Sequence, residues 1–424
     1  MKQTRPLLAI ILSMAAILAA LPASAQLPPG AGLDELLAYA RERSPEFAAQ
    51  RLEAAAAAER VMPAGALPDP VLRMELENVT NFDSDASPNL LPSRVGGAKY
   101  TLIQSVPFWG KRDLKREAAQ AAADEAQGRV AGNWAEIAAK IKGAYAQYYL
   151  TTRSQQYARD VLGLVEHLSG VARSRYAGGL VPQQDAIRAE VEGTAMKSEL
   201  IAMETEQHHA MIRINALLAR PATAPLAQPR QLRPLPAAVR LDIVTLEQRV
   251  REKNPQLFAE DARIRGAEKN RDLAYRNRYP DFNLGIAPIQ TRNRVNEWGL
   301  MVEMNIPLQQ ESRRSQEREA EKMLDAARAR KESAANLVLS ELSENLAALE
   351  TARRVESLTA TSLLPQAELT FQAALAGYET GKVDFATVLD AQRQIRKARL
   401  DVVKSQVEQQ LRLADIERLL GEDL

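Results

Sequence analysis

The chain has 424 residues, with 55 Lys and Arg against 54 Asp and Glu, for a net charge of +1. That balance offers no electrostatic footprint for nucleic acid, and with no cysteine there are neither disulfides nor a cysteine to carry a lipid anchor. Charged residues make up 26% and aromatics only 5%, a composition suited to long helices with narrow apolar seams.

Residues 1–25 read as a secretory signal. Lys2 and Arg5 precede an apolar stretch from Leu7 to Leu21, and Ala23-Ser24-Ala25 is a small-residue cleavage site, so the mature chain is expected to start at Gln26. The alternative is an uncleaved anchor, for which the apolar stretch is short. No other stretch approaches the ~20 apolar residues of a membrane-crossing helix.

The remainder repeats itself. Ser44-Pro45-Glu46 answers Asn254-Pro255-Gln256, Pro68-Asp69 answers Pro280-Asp281, and Pro107 answers Pro307. Tyr176 and Gly179 answer Tyr378 and Gly381, and Ile214, Leu217 and Leu218 answer Ile416, Leu419 and Leu420. The first copy occupies 26–220 and the second 241–424, and a proline-rich connector without helical period fills 221–240. A longer loop in the first copy, "TNFDSDASPNLLPS", explains the drop in spacing after the Pro-Asp pair. Each copy is expected to be one structural unit, reading helix, strand, strand, long helix, tip, long helix.

The strands show as alternation. In "VLRMELE", Leu72, Met74 and Leu76 oppose Arg73, Glu75 and Glu77; in "WGLMVEMNIP", Trp298, Leu300, Val302, Met304 and Ile306 oppose Glu303 and Asn305. "AKYTLIQSVPF" and "DFNLGIAPIQ" are weaker versions of the same pattern. An ordinary sheet on a core is one reading. The chain offers little to cover such a face, so an apolar-out, polar-in wall in lipid fits better. Four strands cannot close a barrel, and open edges in lipid would leave backbone groups unsatisfied. Strands from several chains are therefore needed; three chains give about twelve, within the even-numbered range of such barrels, and geometry equally admits two or four.

The helices carry heptad-like seams, Leu339-Leu342-Leu346-Leu349 and Leu400-Val403-Val407-Leu411-Ala414, as in antiparallel coiled coils. Lys111 to Tyr176 without a proline predicts a rod of about 100 Å, a length that suits a conduit across a periplasm. Two tips interrupt the helical pattern, "RYAGGLVPQQDA" and "GYETGKVDFATVLDAQ". They are tight turns at least; the functional alternative makes them the closed end of a conduit. Phe108 and Trp109 in "PFWGKRDLKRE", and Trp298, suit a membrane–water interface; packing plus a solvated basic turn is the alternative there. His167, His208 and His209 do not converge, no glycine-rich phosphate loop or nucleophile with its base is present, and no catalytic, cofactor or metal site is expected.

The twofold repeat, the strand pairs, "QSVPFWGKRDLKREAA" and the two tips together resemble the TolC family of outer-membrane efflux proteins over nearly the whole mature chain. "AGALPDPVLRMELENV" and "GAKYTLIQSVPFWGKRDLKR" are most similar to members serving heavy-metal resistance-nodulation-division (RND) pumps. The resemblance implies a mainly α fold with a β-barrel part: a homotrimer with a twelve-stranded barrel in outer-membrane lipid, continued by a twelve-helix periplasmic tunnel. Its partners would be a periplasmic adaptor and an inner-membrane RND pump. The tip residues Arg175, Tyr176, Gly178, Gly179, Leu180, Gly381 and Val383 would meet the adaptor. The gate and pore positions would be Asp185, Tyr378 and Asp390, with a Tyr378–Asp185 hydrogen bond helping closure. Val383 and Thr387 depart from the arginine and aspartate found there in other members. The alternative for these residues is that Tyr378 only packs and Asp390 is solvated. The implied function is passive export; the alternatives are a type I protein secretion duct and a periplasmic coiled-coil scaffold without a pore.

Overall fold

The alternating stretches form strands and the proline-free stretches form helices, as physical chemistry requires of them. A computed structural model of the chain describes residues 29–79, 90–92, 95–291 and 294–424. The expected signal segment and most of the loop in the first copy lie outside these. Helices α1 (Leu33–Arg43), α2 (Pro45–Glu59) and the short α3 (Val61–Gly65) precede β1 (Val71–Glu77) and β2 (Gly97–Val106). The first long hairpin is α4 (Lys111–Ala177) and α5 (Gln183–Leu217). In the second copy, α6 (Ile243–Lys253) and α7 (Pro255–Arg276) lead to β3 (Phe282–Thr291) and β4 (Arg294–Met304). Its hairpin rises through α8 (Gln310–Leu358), a π-helical turn at Thr359–Leu363 and α9 (Leu364–Glu379), and returns as α10 (Phe385–Leu420).

The single leading helix expected in each copy is broken in two, with the short α3 following in the first copy. The break falls on the repeat's own marker, Ser44-Pro45 and Asn254-Pro255. Proline disfavours helical backbone in the residue before it, and Ser44 and Asn254 are accordingly extended, with ψ of 118° and 123°. Proline then suits the first turn of the next helix. Asn254 completes the joint: its side chain accepts the Leu257 N–H at 2.9 Å and donates to the Leu419 carbonyl at 2.7 Å.

The chain divides into two units. One gathers residues through Ser44, Lys140–Pro234 and Thr351–Leu411, and the other Pro45–Ala139, Leu235–Glu350 and Arg412–Leu424. In the second unit Leu246 and Val250 of α6 pack with Leu342, Leu349, Ile416 and Leu419. Leu342 and Leu349 of the expected seam are fully buried, with Leu339 and Leu346 packed against that core. Each such leucine is worth about 1.5–3 kcal/mol of burial.

The second unit also holds the sheet. Its order is β1-β2-β3-β4, every pair antiparallel, and the two copies meet at the β2–β3 pair. Register aligns Leu72, Leu102, Ile286 and Leu300 across all four strands, and all four are exposed, Leu300 at 81%. Val302, beside Leu284 on the same face, is 65% exposed. The other face carries the paired polar groups beside Ile103 and Met301: Glu75 lies 3.6 Å from Lys99, and Asn283 donates to Glu303 at 3.3 Å. Alternation thus puts apolar side chains into the surroundings and pairs the polar ones with each other. Among the described residues, no strand covers the outer edges of β1 and β4.

The strand phase has a direct test. Arginine on a lipid-facing strand position costs about 2–4 kcal/mol near the bilayer midplane. Val302→Arg is expected to reduce the amount of protein recovered in outer membranes, and Glu303→Arg, on the opposite face, to leave it unchanged. Equal recovery of the two variants would reverse the assignment of faces.

Candidate functional site at the hairpin tips

Both hairpins turn by the same backbone device. The Leu180 N–H donates to the Arg175 carbonyl at 2.9 Å and the Gly179 N–H to the Tyr176 carbonyl at 2.9 Å. In the second tip, Lys382 donates to Gly377 at 2.8 Å and Gly381 to Tyr378 at 3.1 Å. This pair of bonds closes a helix when the residue after its end is left-handed. Gly179 and Gly381 have φ of +70° and +72°, where a side chain is strained. Gly178 is not in that region.

The helices after the turns start differently. Pro182 precedes α5 and supplies no side-chain cap. Asp384 caps α10, accepting the Thr387 hydroxyl at 2.5 Å and the Thr387 N–H at 3.0 Å. The hydroxyl and then the amide hold the Asp384 carboxyl below its ordinary range. Thr387, where the family resemblance suggests a pore aspartate, therefore closes a cap.

Within the first unit the two tips are tied together. Tyr378 is buried, its ring 5.4 Å from Phe385, in a cluster with Leu168, Ala189 and Val388; Val383 packs against that cluster. Arg175, from the other tip, places its guanidinium 5.0 Å from the Tyr378 ring centre and donates to the Tyr378 carbonyl. A cation over an aromatic face is worth about 0.5–1 kcal/mol when exposed and ~2 when desolvated.

The expected Tyr378–Asp185 hydrogen bond does not form. The Tyr378 hydroxyl is buried without a partner, and Asp185 is 7% exposed in the first turn of α5. Arg175 holds the tyrosine by its ring and carbonyl, which leaves the hydroxyl free. Burial pushes the Asp185 carboxyl up; Arg188 and Arg175 oppose this, and Asp384 adds to it. Burial and the neighbouring Asp185 push the Tyr378 phenol up.

Asp390 is exposed and lies 3.6 Å from Arg393, which also grips Glu192 of α5 at 2.6 and 3.3 Å. Tyr176 and Leu180 are exposed at the first tip. The sequence names Arg175 only as a tip residue. Its hold on Tyr378 spans 203 positions, and only superposition of the two copies could have suggested it. The Asp384 cap was readable, as an aspartate three before a threonine at a helix start.

In the second unit the "PFWGKR" junction is built around Asp281. This carboxylate accepts the Phe108 N–H and the Lys111 ammonium, each at 2.8 Å, and Lys111 also donates to the Tyr279 carbonyl at 2.9 Å. Phe108 stacks on Tyr279 with centroids 4.5 Å apart and planes within 7°. Lys111 is buried, while Lys115 and Arg116 of the same turn are exposed. Trp109 and Trp298 remain exposed.

A duplicated chain of this kind, with four antiparallel strands and two long helical hairpins, has the TolC-like channel fold. The chain belongs to the outer membrane efflux protein family, which matches residues 36–220 and 246–422, one segment in each copy. It is 23% identical over 369 residues to the cobalt-zinc-cadmium resistance protein CzcC of Cupriavidus metallidurans, covering 85% of this chain and 83% of that one. The outer membrane protein VceC of Vibrio cholerae has a similar structure, with TM-score 0.78, 18% identity, and 92% and 96% of the two chains covered. CusC is also similar, with TM-score 0.78, 16% identity, and 92% of each chain covered.

Asp185 is expected to make the tip sensitive to pH. Because burial raises its pKa in the packed tip, that tip holds the proton more tightly than an opened one. Packing is therefore fully favoured below the ordinary carboxylate value and weakens as pH rises through the raised one. Asp384 acts in a separate window, since its depressed pKa removes the cap only below the ordinary value. A nitroxide attached at Leu180→Cys in this cysteine-free chain is expected to become more mobile as pH rises above the ordinary carboxylate range. Asp185→Asn is expected to remove that transition; an unchanged transition in Asp185→Asn would refute the assignment.

Proposed function

We propose that three copies of this chain form the outer-membrane exit duct of a tripartite RND efflux system. The duct passively conducts substrate, of which heavy-metal cations are the favoured class, from pump and adaptor to the exterior. The observation that carries the reading is the four-stranded sheet with its exposed apolar face and two uncovered edges. In lipid such edges are untenable, and four strands from each of three chains give about twelve, enough to close a barrel. The cargo class rests on the similarity to CzcC, a cobalt-zinc-cadmium resistance protein.

In this reading Phe108, Trp109 and Trp298 lie at membrane–water boundaries. Tyr176, Gly178, Leu180 and Val383 belong to the surface that meets the adaptor. Closure depends on Arg175, Tyr378 and Asp185. Asp390, repeated around a threefold axis, attracts cations and repels anions as carboxylate rings do, tempered by Arg393.

The protein solubilised in detergent is expected to run as a three-chain species; a stable, correctly inserted monomer would refute the architecture. In planar bilayers Arg175→Ala is expected to raise the open fraction more than Tyr378→Phe, because the phenylalanine keeps both the ring and the carbonyl that Arg175 uses. Asp390→Asn is expected to lower the cation preference. Conductance identical to the parent protein in all three variants would remove the gate from these residues.

A further inference from the structure

The buried glutamines of α10 donate to a partner, with one exception. Gln409 and Gln410 are 1% and 8% exposed; Gln409 donates to Glu356 at 2.6 Å and Gln410 to the Arg233 carbonyl at 2.7 Å. Gln392 is 3% exposed, yet its side-chain amide has no hydrogen-bond partner among the described residues. Buried polar side chains in native proteins nearly always have a partner, and an exception needs a reason.

Gln392 lines a cleft of about 430 Å³ between α4, α9 and α10, all within the first unit. Tyr157, Val161 and Leu164 of α4 form one wall, and Phe371 of α9 and Ile395 of α10 the other. Gln392 is the one buried residue of the lining. Neither Tyr157 nor Phe371 stacks on another ring among the described residues. A space of this size, with aromatic and aliphatic walls and an uncommitted polar group at its base, is the form that small-molecule sites take. Charge narrows the class of ligand. Arg396 is held by Glu199 at 2.5 Å and Arg399 by Glu368 at 3.0 Å, whereas Asp160 is exposed and makes no ion pair among the described residues. The lining thus has no spare cation for an anionic ligand. Nor is the arrangement shared by the two copies. Tyr176 and Tyr378 lie 202 residues apart; at that spacing Gln392 and Phe371 answer Glu190 and Ser169, and Glu190 is an exposed partner of Arg173 at 2.9 Å.

We propose that this cleft is a binding site for a small, uncharged, planar aromatic molecule that carries a carboxamide or an equivalent donor–acceptor edge. Its ring lies between Tyr157 and Phe371. Its polar edge pairs with Gln392, donating to the side-chain carbonyl and accepting from the side-chain NH₂, as one primary amide pairs with another. The assignment stands on the first unit alone and does not depend on the duct reading above.

Naphthamide is the probe, titrated calorimetrically into the purified, assembled protein, and is expected to bind saturably with one site per chain. Acetonaphthone, which has the same shape and carbonyl but a methyl group in place of the NH₂, is expected to bind about tenfold more weakly. Naphthoate is expected not to bind. Gln392→Leu is expected to erase the difference between the amide and the ketone, a result that loss of packing alone does not give. The chain has no cysteine, so Val161→Cys places a single thiol in the wall of the cleft. Naphthamide is expected to slow modification of that thiol by a methanethiosulfonate and to leave modification of Leu180→Cys, at the exposed first tip, unchanged. Where Gln392→Leu fails to assemble, the amide–ketone comparison on the parent protein and the protection of Val161→Cys decide the matter. Absence of saturable binding, a preference for the amide that survives Gln392→Leu, naphthoate binding as tight as that of naphthamide, or a thiol at Val161→Cys that the probe does not protect overturns the site. So does a Val161→Cys thiol that reacts only after the assembly is dissociated, since a second copy then covers the cleft.

Discussion

The open edges of one small sheet constrain everything else about this chain. A strand edge carries a row of N–H and C=O groups that water satisfies and hydrocarbon does not, at several kcal/mol for each unsatisfied group. A sheet that turns a row such as Leu72-Leu102-Ile286-Leu300 outward gains from lipid on its face and loses at its edges. The conflict cannot be resolved within four strands. That more than one chain must contribute strands follows from this constraint before any detail of the helices is considered; the number three comes from the family resemblance.

The repeat had to supply that sheet economically. Each copy contributes one strand pair, and the copies join through β2 and β3. The junction below the strands is then specialised in one copy. Asp281 of the Pro-Asp marker receives Lys111 and the Phe108 amide, and a buried ammonium requires such partners. The corresponding marker in the first copy, Pro68-Asp69, is tied differently: Gln104 donates to the Pro68 carbonyl at 2.8 Å. Equivalent positions thus anchor the strand ends by unlike chemistry.

Much of this was legible because it is local. Alternation with period two betrays β1 and β4, and glycine followed by proline or aspartate betrays the tips. β2 and β3 read weakly because Ile103 and Gln104 are out of phase with the alternation and Gly285 and Pro288 interrupt it. Pro288 is tolerated next to the register shift at Ile289/Gln290, where proline in a strand is usually found. The broken leading helices were visible as a repeated Ser/Asn-Pro pair but not as a break, since helical spacing continues on either side. The hold of Arg175 on Tyr378 was not legible, because nothing local joins residues 203 apart. Nor was the unpaired tyrosine hydroxyl: sequence shows which groups can bond, and only packing shows which are prevented.

Divergence between equivalent sites is the most informative feature of a duplicated chain, because the shared backbone removes geometry as an explanation. Asp185 and Thr387 occupy the same slot in the first turn of a returning helix, and Pro182 and Asp384 the same slot before it. In the second tip the pair makes a cap, Asp384 to Thr387, which fixes the helix start and leaves no carboxylate uncommitted. In the first tip, proline fixes the start without any side-chain bond, so the carboxylate at Asp185 is released from capping and buried beside Tyr378. A buried carboxylate costs more than a capping hydroxyl unless it is paired, and Arg188 and Arg175 offset part of that cost at Asp185. The same contrast separates the two arms, one regular and the other widened at Thr359–Leu363. Both departures lie in the unit that contains the tips rather than in the unit that contains the sheet. Equivalent slots of one duplicated backbone thus carry a cap in one tip and a buried carboxylate in the other, a difference of side-chain chemistry and not of geometry.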